Sequence, residues 1–182
     1  MGFIYEPEED SYLLSEILKR EIPKLLKKKE NLSVLEIGCG SGIQLNSIFE
    51  SGVNKKNIFG TDINSDAVKK CKSLGFNCIF SDLFSKVIGK FDLIIFNPPY
   101  LPEDEKEPED SKLITTGGKK GSEIINKFLK ESKKHLKKNG KIFLLVSSLT
   151  KGIKFLGYKK KILGKKKIFF EELRVYELNA NN

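Results

Sequence analysis

The chain predicts a doubly wound α/β fold: a mostly parallel seven-stranded sheet, covered by helices on both faces and finished by an antiparallel C-terminal strand pair. Three observations predict it. Strand-like and helix-like segments alternate from residue 30 onward, and such alternation winds parallel strands into one sheet. Phe91 to Phe96 is apolar almost throughout, as a strand covered on both faces must be. The residues with chemical potential, Glu36, Asp62, Asp82 and Asn97, all fall at strand ends, where ligands bind in sheets of this kind.

Taken in order, Val34-Leu35-Glu36-Ile37 reads as a buried strand that breaks at Gly38. A helix follows from Ile43 to Ser51, then a second strand over Asn57-Ile58-Phe59-Gly60-Thr61. Ser65 is the expected cap of the next helix, with Asp66 in its first turn and an end near Leu74-Gly75, since short hydroxyl side chains cap and glycine terminates. Cys78-Ile79-Phe80 is a short third strand and Phe91–Phe96 the fourth. From Ser122 to Lys138, Ile124, Ile125, Phe128, Leu129 and Leu136 repeat at helical spacing, and Asn139-Gly140 is the expected stop. Ile142–Val146 is the fifth strand; Tyr158–Leu163 and Glu172–Leu178 form the closing pair.

The 182 residues fit one domain. No apolar run reaches the roughly 18 residues of a membrane span and no signal peptide is evident, so a cytoplasmic location is expected. Cys39, Cys71 and Cys78 show no metal-ligand spacing and read as small buried hydrophobes in a reducing compartment. With His135 the only histidine, a histidine-based triad or zinc site is not expected. The net charge of +9 is unevenly spread: lysines crowd residues 24–29, 130–141 and 151–167, and acids crowd Glu103–Asp110. Lysine runs on helices are commonly solvated faces, so the charge alone does not establish a nucleic-acid partner.

Glu36-Ile37-Gly38-Cys39-Gly40-Ser41-Gly42 closes the first strand and opens a helix. Glycines there let backbone approach a ligand, although a structural turn has the same look and the spacing differs from the dinucleotide G-x-G-x-x-G pattern. Asp62 raises the odds of a ligand, because a carboxylate after the second strand can accept two hydrogen bonds from ribose hydroxyls. NAD enzymes use the same acid, so Asp62 does not choose the cofactor. Asp82-Leu83 adds an acceptor for an exocyclic amine beside an apolar surface for a base.

Asn97-Pro98-Pro99-Tyr100 follows the fourth strand. An amide or aromatic amino nitrogen is a poor nucleophile, because its lone pair is delocalised. Two acceptors that hold both N–H groups can turn that lone pair toward an electrophile, without a strong base. The Asn97 side-chain oxygen and the Pro98 carbonyl can be those acceptors; proline fixes φ and restricts the residue before it. Tyr100 can wall in a planar acceptor.

Together these features resemble the class I, Rossmann-like S-adenosylmethionine-dependent methyltransferases. That resemblance implies Glu36 near the methionine end, Asp62 on the ribose, Ile63 beside the adenine and Asp82 at its amine. Gly38, Gly40, Gly42, Leu83 and Asn97 complete the implied cofactor site, with no metal. Asn97-Pro98-Pro99-Tyr100 resembles the catalytic motif of enzymes that methylate adenine, cytosine or glutamine nitrogens. Tyr5-Glu6-Pro7-Glu8-Glu9-Asp10-Ser11-Tyr12-Leu13-Leu14 looks like the N-terminal signature of the HemK-related glutamine methyltransferases, in their archaeal and eukaryotic branch. Gly117-Gly118-Lys119-Lys120-Gly121 and the ending from Gly157-Tyr158 to Leu178 are similar to that branch too. The Trp-Ala-Gly-Gly form common in it appears here as Thr115-Thr116-Gly117-Gly118.

The resemblance implies that Ser11 lies by the cofactor and that the acceptor is the glutamine of the Gly-Gly-Gln motif in a class 1 translation release factor. It also implies a helical extension over residues 1–30, a methyltransferase domain over 31–182, and a small zinc-containing activator on the Cys78-Ile79-Phe80 strand edge. The alternative is a DNA or RNA amino-methyltransferase. Net charge favours it, but the acidic stretch beside the catalytic loop would repel phosphates and attract a basic protein.

Overall fold

The computed structural model describes residues 4–103 and 115–180; the acidic stretch from residue 104 to 110 lies outside them. The first helix, α1 (Glu9–Leu26), buries Asp10, Leu13, Leu14, Ile17, Leu18 and Ile22, a stripe at the three- and four-residue spacing of one helical face. The strands are β1 (Val34–Ile37), β2 (Ile58–Asp62), β3 (Asn77–Phe80), β4 (Phe91–Phe96), β5 (Leu136–Ser147), β6 (Tyr158–Ile168) and β7 (Glu171–Ala180). Helices α2 (Ile43–Glu50), α3 (Ser65–Ser73) and α4 (Glu123–Ser132) connect them. The strands form one seven-stranded sheet in the order β3-β2-β1-β4-β5-β7-β6. β1 to β5 pair in parallel, and β7 pairs antiparallel with β5 and β6.

Alternate side chains of the central strands feed two cores. Val34, Leu93, Ile95, Phe143 and Leu145 pack with α1, α2 and α3. Leu35, Ile37, Ile94, Phe96, Ile142 and Leu144 pack with Ile125, Phe128 and Leu129 of α4. The central strands therefore need apolar residues at every position. Glu36, 2% exposed, is the exception within β1. No helix among the described residues is long and apolar enough to cross a membrane.

Three local expectations are corrected. Asn64, not Ser65, caps α3, its side chain accepting from the Asp66 N–H at 2.9 Å; Ser65 is the first helical residue. The helix expected from Ser122 to Lys138 ends at Ser132, because Leu136 is already paired with Phe91 in the sheet. Asn139-Gly140 lies inside β5, where Asn139 takes a φ of 63° and the register shifts between Phe91 and Leu93. The turn chemistry was legible there; it bulges a strand rather than stopping a helix. Apart from these, the closing strands are simply longer than expected: β6 starts at Tyr158 and runs on to Ile168, and β7 spans Glu171–Ala180.

Candidate active site

The carboxyl ends of β1, β2, β3 and β4 open onto a cavity of about 420 Å³, bordered on another side by residues of the N-terminal segment and α1. Gly38, Gly40 and Gly42 lead from β1 into α2 and all take positive φ. At Gly40 an added Cβ would meet nothing within 4 Å, so what glycine supplies there is its left-handed φ of 46° and bare backbone facing a ligand. Its N–H donates to Asp62 Oδ2 at 2.8 Å, while Oδ1 accepts from the Asn64 N–H at 2.8 Å. Asp62 is thereby locked to the glycine loop and to the cap of α3. Burial raises its carboxyl above the usual range, opposed by those backbone donors.

Glu36 Oε2 and Gln44 Oε1 are buried acceptors without a partner among the described residues. Gln44 spends its Nε2 on the Ser11 carbonyl, at 2.9 Å. Burial pushes the Glu36 carboxyl well above its ordinary value. Unsatisfied buried acceptors cost about 1–3 kcal/mol each, so both fit a ligand rich in donors. Ile63, 55% exposed, and Leu83 offer apolar walls to the same cavity. Leu83 takes a φ of 45° that a leucine rarely adopts, and the Ser81 hydroxyl donates to its carbonyl at 3.0 Å. Such strain concentrates at ligand sites. Asp82 reaches the cavity with its Oδ2 paired to Lys127 at 2.7 Å. S-adenosylmethionine carries an ammonium, two ribose hydroxyls, an exocyclic amine and a flat base, and these residues fit it.

The Asn97-Pro98-Pro99-Tyr100 loop crosses the cavity mouth. Asn97 Nδ2 donates to Asp10 Oδ2 at 3.0 Å, whereas Asn97 Oδ1 is buried without a partner among the described residues. A carboxylate only accepts, so Asp10 decides which end of the Asn97 amide faces the cavity. Asp10, 4% exposed, is itself held by the Tyr5 hydroxyl at 3.0 Å and the Ser11 N–H at 2.5 Å, both on Oδ1. The Tyr100 hydroxyl lies 3.5 Å from Oδ2. Burial, then the neighbouring Asp10 charge, pushes both phenols up, so neither Tyr5 nor Tyr100 supplies a base.

The loop is clamped on both sides. Thr150 Oγ1 donates to the Tyr100 carbonyl at 2.7 Å. The Leu101 N–H donates to the Thr115 carbonyl and the Gly117 N–H to the Leu101 carbonyl, both at 2.9 Å. A Cβ on Gly117 would stand 2.6 Å from the Pro99 carbonyl oxygen and 2.1 Å from that of Gly121. Only glycine permits so close an approach.

All the residues expected at the cofactor site except Gly42 line this one cavity, together with the whole catalytic loop. Gly42 instead packs beneath it, its Cβ position 3.3 Å from Cys71 Sγ. Gln44, Lys127 and Glu171 also line it, as do Tyr5 and Asp10, which the sequence marks only as part of the N-terminal signature and not as site residues. Asp10 carried a faint signal, an acid on the apolar face of α1; Glu171 carried none. The thiols of Cys39, Cys71 and Cys78 converge nearby, with their sulfurs within 4.8 Å of one another. Hydrogen bonding to Cys71 and Cys78, then burial, pushes the Cys39 thiol up. Their spacing along the chain carries no ligand pattern; the glycine loop, α3 and β3 collect them.

Sheet order, glycine loop and strand-end acids are those of a class I S-adenosylmethionine-dependent methyltransferase. Residues 13–169 match the methyltransferase small domain family. The chain is 42% identical to a putative protein N5-glutamine methyltransferase of Methanocaldococcus jannaschii, over 94% of this chain and 89% of that one. It is 32% identical to the eRF1 methyltransferase catalytic subunit of Schizosaccharomyces pombe, over 81% and 74%. A ribosomal protein L11 methylase from Lactobacillus delbrueckii subsp. bulgaricus shares the fold, with a TM-score of 0.63 at 16% identity over 99% and 82%. The chain belongs to the methyltransferase small domain family, with the protein-glutamine methyltransferases as its relatives.

Proposed function

We propose that the chain transfers a methyl group from S-adenosylmethionine to the side-chain amide nitrogen of a glutamine, in the Gly-Gly-Gln motif of a class 1 translation release factor. One observation carries the reading: Asn97 Oδ1 is buried, unpaired among the described residues and fixed in orientation by Asp10. An acceptor in that position receives one N–H of a planar amide, and the Pro98 carbonyl receives the other. The nitrogen lone pair then faces the cofactor. Each hydrogen bond contributes about 1 kcal/mol net, whereas alignment of reacting atoms is worth up to roughly 7–11 kcal/mol. Transfer is mainly a matter of position.

The cofactor supplies a sulfonium methyl whose leaving group becomes a neutral thioether. Glu36 would receive the ammonium at the methionine end, with Ser11 and the backbone of Gly38 and Gly40 around it and Gly42 holding the loop from behind. Asp62 would receive the ribose hydroxyls, Ile63 and Leu83 would offer apolar surface to the adenine, and Asp82 would accept from its amine. Asn97 borders the cofactor and the acceptor, while Pro98 and Pro99 stiffen the loop and Tyr100 walls it. The methylated nitrogen releases its extra proton to solvent.

The N-terminal segment through residue 30 belongs to the cofactor site, and residues 31–182 form the methyltransferase unit. The β3 edge exposes Ile79 at 42% and Phe80 at 47%, with Ile88 beside it at 93%. An uncovered apolar edge strand invites aggregation, and this one suits a small zinc-containing activator. The fission-yeast relative is a catalytic subunit by name, which agrees with a second subunit. The setting is cytoplasmic, where release factors act.

The test supplies labelled cofactor with a release factor or with nucleic acid, with and without the activator. Label in the Gly-Gly-Gln glutamine supports the reading, and label in nucleic acid alone overturns it. A chain that is monomeric, soluble and fully active by itself overturns the activator assignment.

A further inference from the structure

The hairpin between β6 and β7 turns over two residues, Phe169 and Phe170, which are 90% and 98% exposed. Two-residue hairpins place glycine, asparagine or aspartate where φ is positive. Here Phe169 occupies that position, with a φ of 46°. The turn thus accepts backbone strain and also leaves two aromatic rings in water. Burying a phenylalanine is worth about 1.5–3 kcal/mol, so folding gains nothing from either ring. Local rules broken twice at one turn point to a surface that is completed by a partner.

The next residue, Glu171, lines the catalytic cavity, and its Oε1 is buried without a partner among the described residues. One short turn therefore carries an apolar tip outside the cavity and an orphaned acceptor inside it. We infer that this turn is the docking element for the polypeptide that carries the acceptor amide, with an apolar segment on Phe169 and Phe170 and an N–H donated to Glu171. The inference rests on the reading of the cavity as a glutamine-methylating site. A polypeptide supplies both apolar side chains and N–H donors, whereas a phosphate would face the Glu171 carboxylate. Lys165, Lys166 and Lys167 flank the tip, and they make a membrane surface the competing occupant.

The decisive variant is F169G/F170S in the full chain, assayed with its activator where one is required. Glycine relieves the positive φ, so the thermal midpoint should not fall. The KM for intact release factor is expected to rise about tenfold, or 1.4 kcal/mol, with kcat and cofactor affinity within twofold. An unchanged KM overturns the inference and leaves methyl transfer intact. Loss of cofactor affinity in parallel with kcat marks a structural role and also overturns it. So does an unchanged KM with lost binding to anionic vesicles, which assigns the tip to lipid. Wild-type chain that labels no release factor sinks the functional reading itself, a separate outcome.

Discussion

Asp10 shows how one buried carboxylate sets the polarity of a site. Its Oδ1 accepts from the Tyr5 hydroxyl and the Ser11 N–H, and its Oδ2 from Asn97. An Asp10→Asn side chain cannot repeat this, since its amide must point a donor at either the Ser11 N–H or the Asn97 amide. Asn97 then loses its fixed orientation. We expect kcat to fall about 100-fold, the scale of a misplaced reacting group, with cofactor affinity nearly unchanged. Single-turnover transfer beside calorimetric cofactor titration would show it, and an undiminished rate refutes the role. Asp92 makes a different prediction. Against the cost of burial, the Lys29 ammonium, the Ser33 backbone and the Lys137 ammonium hold its carboxyl down to about 2, from 3.8. A depressed acid stabilises above its unfolded value and loses that contribution as pH falls. Asp92→Asn should cost about 1–2 kcal/mol at pH 7 after screening, and the gap from wild type should close between pH 3.8 and about 2. Equal denaturant midpoints at pH 7 would contradict it. At this scale the sequence was half legible. Asn97 announces itself beside two prolines, but its partner Asp10 lies 87 residues away and becomes visible only when α1 folds over the sheet.

Among elements, the Asn97–Tyr100 loop is held in place because its neighbours press on it. The Gly117 region runs alongside Leu101, with an isolated parallel bridge between Leu101 and Thr116. Gly117→Ala would set a Cβ 2.6 Å from the Pro99 carbonyl and 2.1 Å from that of Gly121. Both are backbone atoms and neither can rotate away, so Pro99 and the Asn97 side chain must shift. We expect a fall in kcat on the order of 100-fold with cofactor affinity retained, because the β1 and β2 loops are untouched. Parallel loss of cofactor binding would instead mark general disruption. The two prolines were legible as rigidity, yet the glycine run appeared only as a family likeness, since no local rule predicts which backbone it will touch. The α4 boundary failed for a similar reason. Leu136 continues the helical stripe in sequence, but sheet pairing with Phe91 claims it, and tertiary pairing outweighs local periodicity.

For the whole molecule, the buried acids make folding and cofactor binding one linked equilibrium. Glu36 sits in β1 between two cores, and burial holds its carboxyl well above 4.5. Asp62 is raised too, by burial. A raised acid stabilises the cofactor-free fold fully below its unfolded value, and that contribution is lost as pH rises toward the folded value. On the proposed reading the ammonium of the cofactor would reverse the preference, by pairing with the ionised form of Glu36. Binding should release a proton and strengthen with pH. At about 100 times the dissociation constant, the cofactor adds about 2.7 kcal/mol, which for a chain of this length raises the melting midpoint by about 5–10 °C. As pH rises above 4.5 that increment should grow in wild type and flatten in Glu36→Gln, which keeps the shape and loses the charge. Thermal melts across this range, with and without cofactor, measure both slopes. A wild-type increment independent of pH would remove Glu36 from the ammonium site while leaving the roles of Asp10 and Asn97 untouched.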